Sequence, residues 1–187
     1  MDTVSGSATE GEYVTFNRYP DLDAIPGLAV RPSDGTIYTF EADAGGSLIG
    51  LDPVTGDSML VFDGLAEGSQ GKGATFGNDG LLYVSGRSEL SVIDVDAQTI
   101  DTIGAFTYTG FPTLVDATPT IGSMATRVSD GTVFGILKDG GGGNGQNATY
   151  LVTINLATAE LTNVGVTGEL LDGLAYIPRA LVEAREP

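Results

Sequence analysis

The sequence repeats one short pattern three times, and this repeat constrains the fold more than any other feature of the chain. An Asp-Gly pair at positions 34–35, 79–80 and 130–131 is followed by the runs TIYTF, LLYVS and TVFGIL. Asp-Gly between two such runs favours a tight turn, because glycine readily adopts the positive φ angles that the turn requires. Each pair therefore predicts the turn of a β-hairpin.

Each Asp-Gly pair belongs to a unit with four predicted strands, labelled A to D in chain order. Strand A precedes the pair, strand B follows it, and strands C and D come next. In the first unit, strands C and D are SLIGLDP and SMLVF, joined by the turn DPVTGD. The strand A pattern occurs four times, at residues 27–32, 71–77, 123–128 and 173–178.

Four antiparallel strands in about 40 to 50 residues are typical of one blade of a β-propeller. The small residues of strand A fit this arrangement, since the innermost strands of neighbouring blades crowd together. We therefore predict an all-β fold, a β-propeller-like array of four-stranded antiparallel blades with three complete blades plus terminal strands. A rolled three-sheet solenoid or a prism is the alternative.

The repeat also predicts a single domain between two short ends. We expect a flexible N-terminal segment at 1–12, a repeat domain at 13–178 and a C-terminal tail at 179–187. The domain divides into three units and two terminal strands, at about 27–70, 71–121 and 122–170, and at 13–19 and 173–178.

The pattern resembles the broad group of YVTN and NHL-type β-propeller repeats, in which a DGTLY-like segment is followed by an IDPxTG-like turn. The matching stretches are 34–38 with 51–56, 79–83 with 93–99, and 130–134 with 154–158. The resemblance implies a propeller scaffold. It implies no particular activity, because unrelated functions share such scaffolds.

Three blades and a fragment cannot close an ordinary propeller ring. A blade shared between the two ends of the chain would contain only strands A and D. Open blade faces leave apolar surface in water, and open strand edges invite pairing with other chains. We therefore expect self-association, another protein or the rest of a longer polypeptide to complete the propeller.

Composition excludes several classes of function. With 25 acidic and 8 basic residues the formal net charge is −17, so nucleic acid and anionic membranes are poor partners. No apolar run approaches the roughly 18 residues that cross a bilayer, and we expect no membrane insertion. The chain has no histidine and no cysteine, which excludes a Ser-His-Asp triad, a cysteine nucleophile and thiolate metal sites.

The long connection AFTYTGFPTLVDATPTIG, residues 105–122, contains the candidate contact residues for a ligand or partner. Phe106, Tyr108 and Phe111 lie near Asp116 in this stretch. Aromatic faces beside carboxylate and hydroxyl groups suit a sugar or a peptide. The same aromatic residues could instead cap the core beneath a long loop, or contact the missing blades.

The loop KDGGGGNGQNAT suggests a calcium site. Asp139, Asn144 and Asn147 offer oxygen ligands around a glycine-rich backbone, a composition that can wrap Ca²⁺. The loop lacks the acidic spacing of an EF-hand and the nonapeptide repeat of a calcium β-roll. The alternative is an exposed loop without an ion.

Two arginines occupy equivalent positions in the repeat. Arg31 and Arg127 stand where the other units have Phe76 and Ile177. A residue type that recurs at a repeat position favours a packing or hairpin role, such as pairing with a neighbouring aspartate. A catalytic residue is usually singular.

These features favour a non-catalytic binding or assembly module of a surface, secreted or particle-associated complex. The alternative is a histidine-independent propeller enzyme, similar to lactonases, lyases or glycosidases, that uses carboxylates and Ca²⁺. The acidity of the chain favours an extracellular or saline setting.

Overall fold

The computed structural model describes residues 27–40, 46–63, 73–112, 114, 119–140, 148–168, 171 and 173–177. These residues form β-strands arranged in three sheets, and none of them lies in a helix. The predicted all-β fold of four-stranded antiparallel blades is confirmed. No helix in the described ranges is long and apolar enough to cross a membrane.

Each sheet corresponds to one unit of the repeat, and its strands follow one another in chain order. Blade 1 contains β1 (Leu28–Val30), β2 (Ile37–Phe40), β3 (Leu48–Leu51) and β4 (Ser58–Phe62). Blade 2 contains β5 (Gly73–Phe76), β6 (Leu82–Ser85), β7 (Glu89–Asp94) and β8 (Thr99–Ala105). Blade 3 contains β10 (Thr120–Arg127), β11 (Thr132–Asp139), β12 (Ala148–Ile154) and β13 (Glu160–Gly168), with β9 (Thr107–Thr109) added at its edge.

The Asp-Gly pairs form the turns between strands A and B, as the sequence predicts. In each turn, an aspartate Oδ1 accepts a hydrogen bond from the backbone N–H two residues later, at 2.9 to 3.1 Å; the aspartates are Asp34, Asp79 and Asp130. The glycines that follow them have φ angles of 78°, 82° and 74°. Such positive angles disfavour residues with a Cβ atom, which explains the glycine in all three turns.

The turns between strands C and D also share one geometry. The side chains of Asp52, Asp94 and Asn155 each accept a hydrogen bond from the backbone N–H two residues later. Four residues after each of these lies a residue with positive φ, namely Gly56, Gln98 and Ala159. The three turns can therefore be compared residue by residue.

The hydrophobic core lies between the blades. One cluster joins Tyr38, Phe40 and Leu48 of blade 1 to Leu82 and Ile93 of blade 2. A second cluster joins blade 2 to blade 3, through residues such as Tyr83, Leu90, Val133, Val152 and Leu161. We call the side of a blade that faces the preceding blade its back face, and the side that faces the following blade its front face.

The long connection after β8 differs from the predicted loop, because it contributes a strand to the next blade. Thr107–Thr109 pairs in parallel with Glu160–Thr162, at the outer edge of blade 3. The connection therefore fastens blade 2 to blade 3. A three-residue strand carries too little alternation to be recognised from sequence.

Residues 173–177, predicted as a further A strand, belong to no sheet in the structure. A strand is defined by its hydrogen-bonded neighbour, and the sequence provides no strand B after this segment. The backbone N–H of Leu174 donates instead to the Ser123 hydroxyl on β10, at 3.0 Å. The predicted strand at 13–19, the segment 1–12 and the tail 179–187 lie outside the described residues.

Candidate functional site

The three aromatic residues of the long connection pack together at the edge of blade 3. Phe106 is buried in the core between blades 2 and 3, and Phe111 packs against the same core. Phe111 makes edge-to-face contacts with Tyr108 and Tyr150, with ring centroids 6.0 and 5.4 Å apart. Tyr108 is the most exposed of the three residues predicted as contacts. Asp116 lies outside the described residues.

Polar contacts hold β9 in place beside these rings. The Thr109 hydroxyl donates to Glu160 Oε1 at 2.5 Å, and Asn163 Nδ2 donates to the Gly110 carbonyl at 3.0 Å. The aromatic residues thus have a packing role in the structure. Their role as a ligand or partner contact stays a prediction.

Of the predicted calcium ligands, the structure describes Asp139, at the end of β11, and its side chain is buried. Asn144 and Asn147 lie outside the described residues. Within the described ranges, no group of three or more acidic, histidine or cysteine side chains could hold a metal ion. The calcium site stays a prediction.

The two repeated arginines pair with aspartates of their own hairpins. Arg127 donates to Asp130 at 2.9 and 2.6 Å, and its guanidinium lies 5.2 Å from the centroid of the Phe134 ring. Arg31 lies 3.6 Å from Asp34. Arg31 also crosses to the next blade, where it donates to Asp96 at 2.5 Å. These contacts agree with a hairpin and packing role.

Several ionisable groups of the described residues have pKa values shifted by turn and packing contacts. Hydrogen bonds from the Arg127 side chain and the backbone N–H of Thr132 hold the pKa of Asp130 well below its usual range. Burial, together with a 2.6 Å hydrogen bond to Asp79, raises the pKa of Tyr83 far above its usual value. Asp130 is therefore a poor proton donor at neutral pH, and Tyr83 a poor base.

Exposed large hydrophobic side chains of the described residues lie on the two end blades and the segments beside them. They are Leu28, Val30, Val54, Met59 and Leu60 in blade 1; Tyr108 on β9; Val128, Val164 and Val166 in blade 3; and Leu171, Tyr176 and Ile177 beyond it. None lies between Gly73 and Ala105 in blade 2. Within the described residues, blade 2 has a blade on each side, whereas blades 1 and 3 each have one.

The back face of blade 1 is partly covered: Thr39 and Ile49 on this face are fully buried, but two other residues are more exposed than their equivalents in blade 2. Strand pairing aligns Val30 and Ile37 of blade 1 with Phe76 and Leu82 of blade 2. The sequence-based placement of Phe76 at the position of Arg31 is therefore wrong by one residue, because Gly77 makes the hairpin hydrogen bond that Arg31 makes in blade 1. Val30 is 59% exposed, whereas Phe76 is 3% exposed. Ile37 is half-buried, whereas Leu82 is fully buried.

The C-to-D turn of blade 1 is more exposed than those of blades 2 and 3. Val95 in blade 2 and Leu156 in blade 3 pack into the core against the preceding blade. Pro53 occupies the same turn position in blade 1 and is exposed. Its neighbour Val54 is 87% exposed, the largest fraction among the exposed large hydrophobic residues.

The front face of blade 3 is mostly buried, since Ile136 and Thr149 on it are fully buried, but one position differs from the other blades. Leu48 in blade 1 and Leu90 in blade 2 are fully buried, but Leu151 at the same position in blade 3 is half-buried. Tyr176 and Ile177, in the segment beside β10, are exposed as well. Exposed apolar side chains thus lie at both ends of the array, and we call these two groups the end faces: Leu28, Val30 and Val54 at blade 1, and Tyr176 and Ile177 beyond blade 3. Exposed apolar surfaces of this kind are typical of interaction sites.

Sequence reasoning expected open blade faces, but it did not identify the residues on them. Two sequence differences could have indicated an exposed end of the array. Blade 1 has Leu28 where blade 2 has the smaller Ala74, and it has the apolar Val54 where blade 2 has the charged Asp96. The alternation of a strand does not show whether a neighbouring blade covers its apolar side. Only the structure identifies these positions as exposed.

No protein-family model and no curated protein sequence matches the chain. Solved structures resemble it in fold. One is a chain in the crystal structure of a nidogen/laminin complex, with a TM-score of 0.57, 15% identity, and coverage of 90% of this chain and 57% of that chain. That match is a β-propeller. The protein is a β-propeller-type blade array.

Two further matches are enzymes by name. Hydrazine synthase from Kuenenia stuttgartiensis has a TM-score of 0.50 and 16% identity over 76% of this chain and 37% of that chain. Oligogalacturonate lyase from Vibrio parahaemolyticus has a TM-score of 0.46 and 12% identity over 75% of this chain and 38% of that chain. The chain thus spans between 37% and 57% of the length of these three matched chains. At such identities the likeness concerns the fold alone, and the function must be argued from the site.

Proposed function

We propose that the protein is a non-catalytic assembly module whose end faces dock onto a protein partner. The observation that carries this proposal is the distribution of exposed apolar side chains, which are found on the end blades and are absent from the described part of blade 2. Repeat arrays need polar outer faces to remain soluble as single chains. These end faces are apolar and therefore suit burial in an assembly.

The described carboxyl groups with shifted pKa values serve as turn acceptors and not as general acids; they are Asp34, Asp52 and Asp130. A general acid at neutral pH needs a raised carboxyl pKa. Backbone N–H groups instead lower the pKa values of Asp34 and Asp52, through hydrogen bonds from Thr36 and from Val54 and Thr55. These carboxylates remain ionised and act as turn acceptors.

Site-specific photocrosslinking in the host cells of the protein tests the proposal. A benzophenone amino acid at Leu28 or Ile177 should give protein adducts whose peptides can be identified by mass spectrometry. The same probe at the exposed Thr102 of blade 2 is the matched control and should give none. The proposal predicts that Val30→Asp suppresses the Leu28 adduct, because it places a charge in the docking surface. Equal labelling at positions 28 and 102, or adducts unaffected by Val30→Asp, would contradict it.

A further inference from the structure

We propose that the outer edge of blade 1 is a strand-addition site. It takes an extended segment of a partner protein, with apolar residues flanked by Lys or Arg. The site is strand β4 with Asp57 before it and Asp63 after it. This edge is separate from the end faces and adds a second kind of contact to the proposed docking. Extended segments add to exposed sheet edges through main-chain hydrogen bonds in several recognition systems.

The three blades differ in how their outermost strands are protected. In blade 3 the outer strand β13 is covered, because β9 pairs with it in parallel. In blade 2 the outer strand β8 carries the exposed Asp101, and charged side chains protect an open edge from pairing. Blade 1 has neither protection, since no described strand pairs with the outer side of β4 and its central residues are apolar.

The apolar residues of this edge depart from the repeat. Met59 and Leu60 are 62% and 51% exposed. Strand pairing shows that their equivalents in the other blades are polar; they are Asp101 and Thr102 in blade 2, and Thr162 and Asn163 in blade 3. Blade 1 therefore exposes apolar side chains to water at edge positions where the other blades have polar ones.

The positions of these two side chains indicate the shape of the occupant. Met59 pairs with Gly50 and Leu60 with Ile49, without a register shift between them. The two side chains therefore point to opposite faces of the sheet. A helix or a flat surface packs against one face only. A strand beside β4 covers both side chains at once, because its own side chains alternate between the two faces.

Strand β9 provides the geometry of such an addition within the same chain. It pairs in parallel with Glu160–Thr162, and the equivalent residues of blade 1 are 57–59. Beyond this stretch the edge is already used, because the Gln98 side-chain amide donates to the Val61 carbonyl at 2.7 Å. The added strand therefore runs along residues 57–60, parallel to β4.

Charge defines the ends of the added segment. Asp57 and Asp63 are exposed, and neither pairs with a basic side chain among the described residues. Positions 32–71 contain no lysine or arginine, so Lys or Arg at the ends of the partner segment complements this edge. The same charge disfavours a second copy, because antiparallel pairing of two β4 edges about Leu60 places Asp57 opposite Asp63.

A nuclear magnetic resonance titration of the full chain with the peptide KTVIVTK tests the site. The peptide has apolar residues for both faces and a lysine at each end. It should shift the amide resonances of residues 57–60 and slow their hydrogen exchange. The same peptide N-methylated at its three central residues keeps the side chains but loses donors on both edges, and should bind about tenfold or more weakly. The peptide ETVIVTE should also bind more weakly, because its charges repel the aspartates.

An exchange of residues between the two open edges provides the matched variants. Met59→Asp with Leu60→Thr gives blade 1 the residues of blade 2, and should weaken KTVIVTK binding by about tenfold or more. Asp101→Met with Thr102→Leu makes the reverse change in blade 2, and should leave the resonance shifts at 57–60 unchanged. Thermal unfolding should show that both variants fold as the wild type does.

Four results would overturn the proposal. The first is the absence of shifts at about 1 mM KTVIVTK, where a complex with a millimolar dissociation constant is half saturated. The second is equal binding of the N-methylated peptide, which would exclude strand addition. The third is equal binding by the blade 1 variant. The fourth is slow exchange at 57–60 without peptide, which would assign the edge to another segment of this chain, or to a second copy if it depends on protein concentration.

Discussion

Replacing Leu82 with alanine should cost about 3 kcal/mol of unfolding free energy, roughly twice the cost of the same change at Ile37. The two residues occupy equivalent positions on the back faces of blades 2 and 1 and have the same number of carbon atoms. Leu82 is fully buried against blade 1, where a Leu-to-Ala change removes apolar contacts and leaves a cavity, at about 2 to 5 kcal/mol. Ile37 is half-buried, so alanine there loses about half the transfer energy and leaves little cavity.

Urea unfolding of both variants in dilute, low-salt solution measures the two costs. At about 2 to 4 °C per kcal/mol for a chain of this size, Leu82→Ala should also lower the melting temperature by roughly 6 to 12 °C. Equal losses for the two variants would refute the difference in burial between these equivalent positions.

Three further predictions concern local features. Asp94→Ala removes the acceptor of two turn hydrogen bonds, from Asp96 and Ala97, and should cost about 1 kcal/mol in urea unfolding; an unchanged unfolding midpoint would show that these bonds do not stabilise the turn. The folded-state pKa of Asp130 is lowered from 3.8, so its stabilisation is present above about pH 4 and is lost as the pH falls through the folded value. Asp130→Asn should therefore reduce the loss of stability between about pH 4 and 2 in acid titrations followed by circular dichroism; an unchanged pH profile would count against the ion pair. Phe111→Ala removes the ring between Tyr108 and Tyr150, and amides of residues 107–109 should exchange at least about tenfold faster in hydrogen-exchange mass spectrometry, while unchanged exchange would show that the rings do not hold β9.

The blades could be predicted from sequence because their determinants are local. The Asp-Gly pairs, the turn residues and the apolar runs each act within a few neighbouring positions, and together they specify hairpins that repeat. The turn at Asp94 shows this clearly, since its side chain bonds to backbone atoms two and three residues away. Strand number, order and direction follow from such signals.

The contacts between distant parts of the chain could not be predicted in the same way. Strand β9 pairs with residues more than 50 positions later, and nothing in Thr-Tyr-Thr specifies that neighbour. The aromatic residues of the same connection fit both a binding site and a core cap, because sequence does not show what surrounds a ring. Phe106 is buried between blades 2 and 3, and this burial depends on contacts with residues that are distant in the sequence.

The most direct test of the account is carbene footprinting of residues 28–30 and 74–76 in the isolated chain and with the partner that the Leu28 photocrosslink captures. These segments are equivalent A strands, and Val30 and Phe76 differ most clearly in exposure. The account predicts strong labelling of 28–30 in the isolated chain, a decrease when the partner is bound, and protection of 74–76 throughout. Labelling of 28–30 that is low in the isolated chain, or unchanged by the partner, would contradict it.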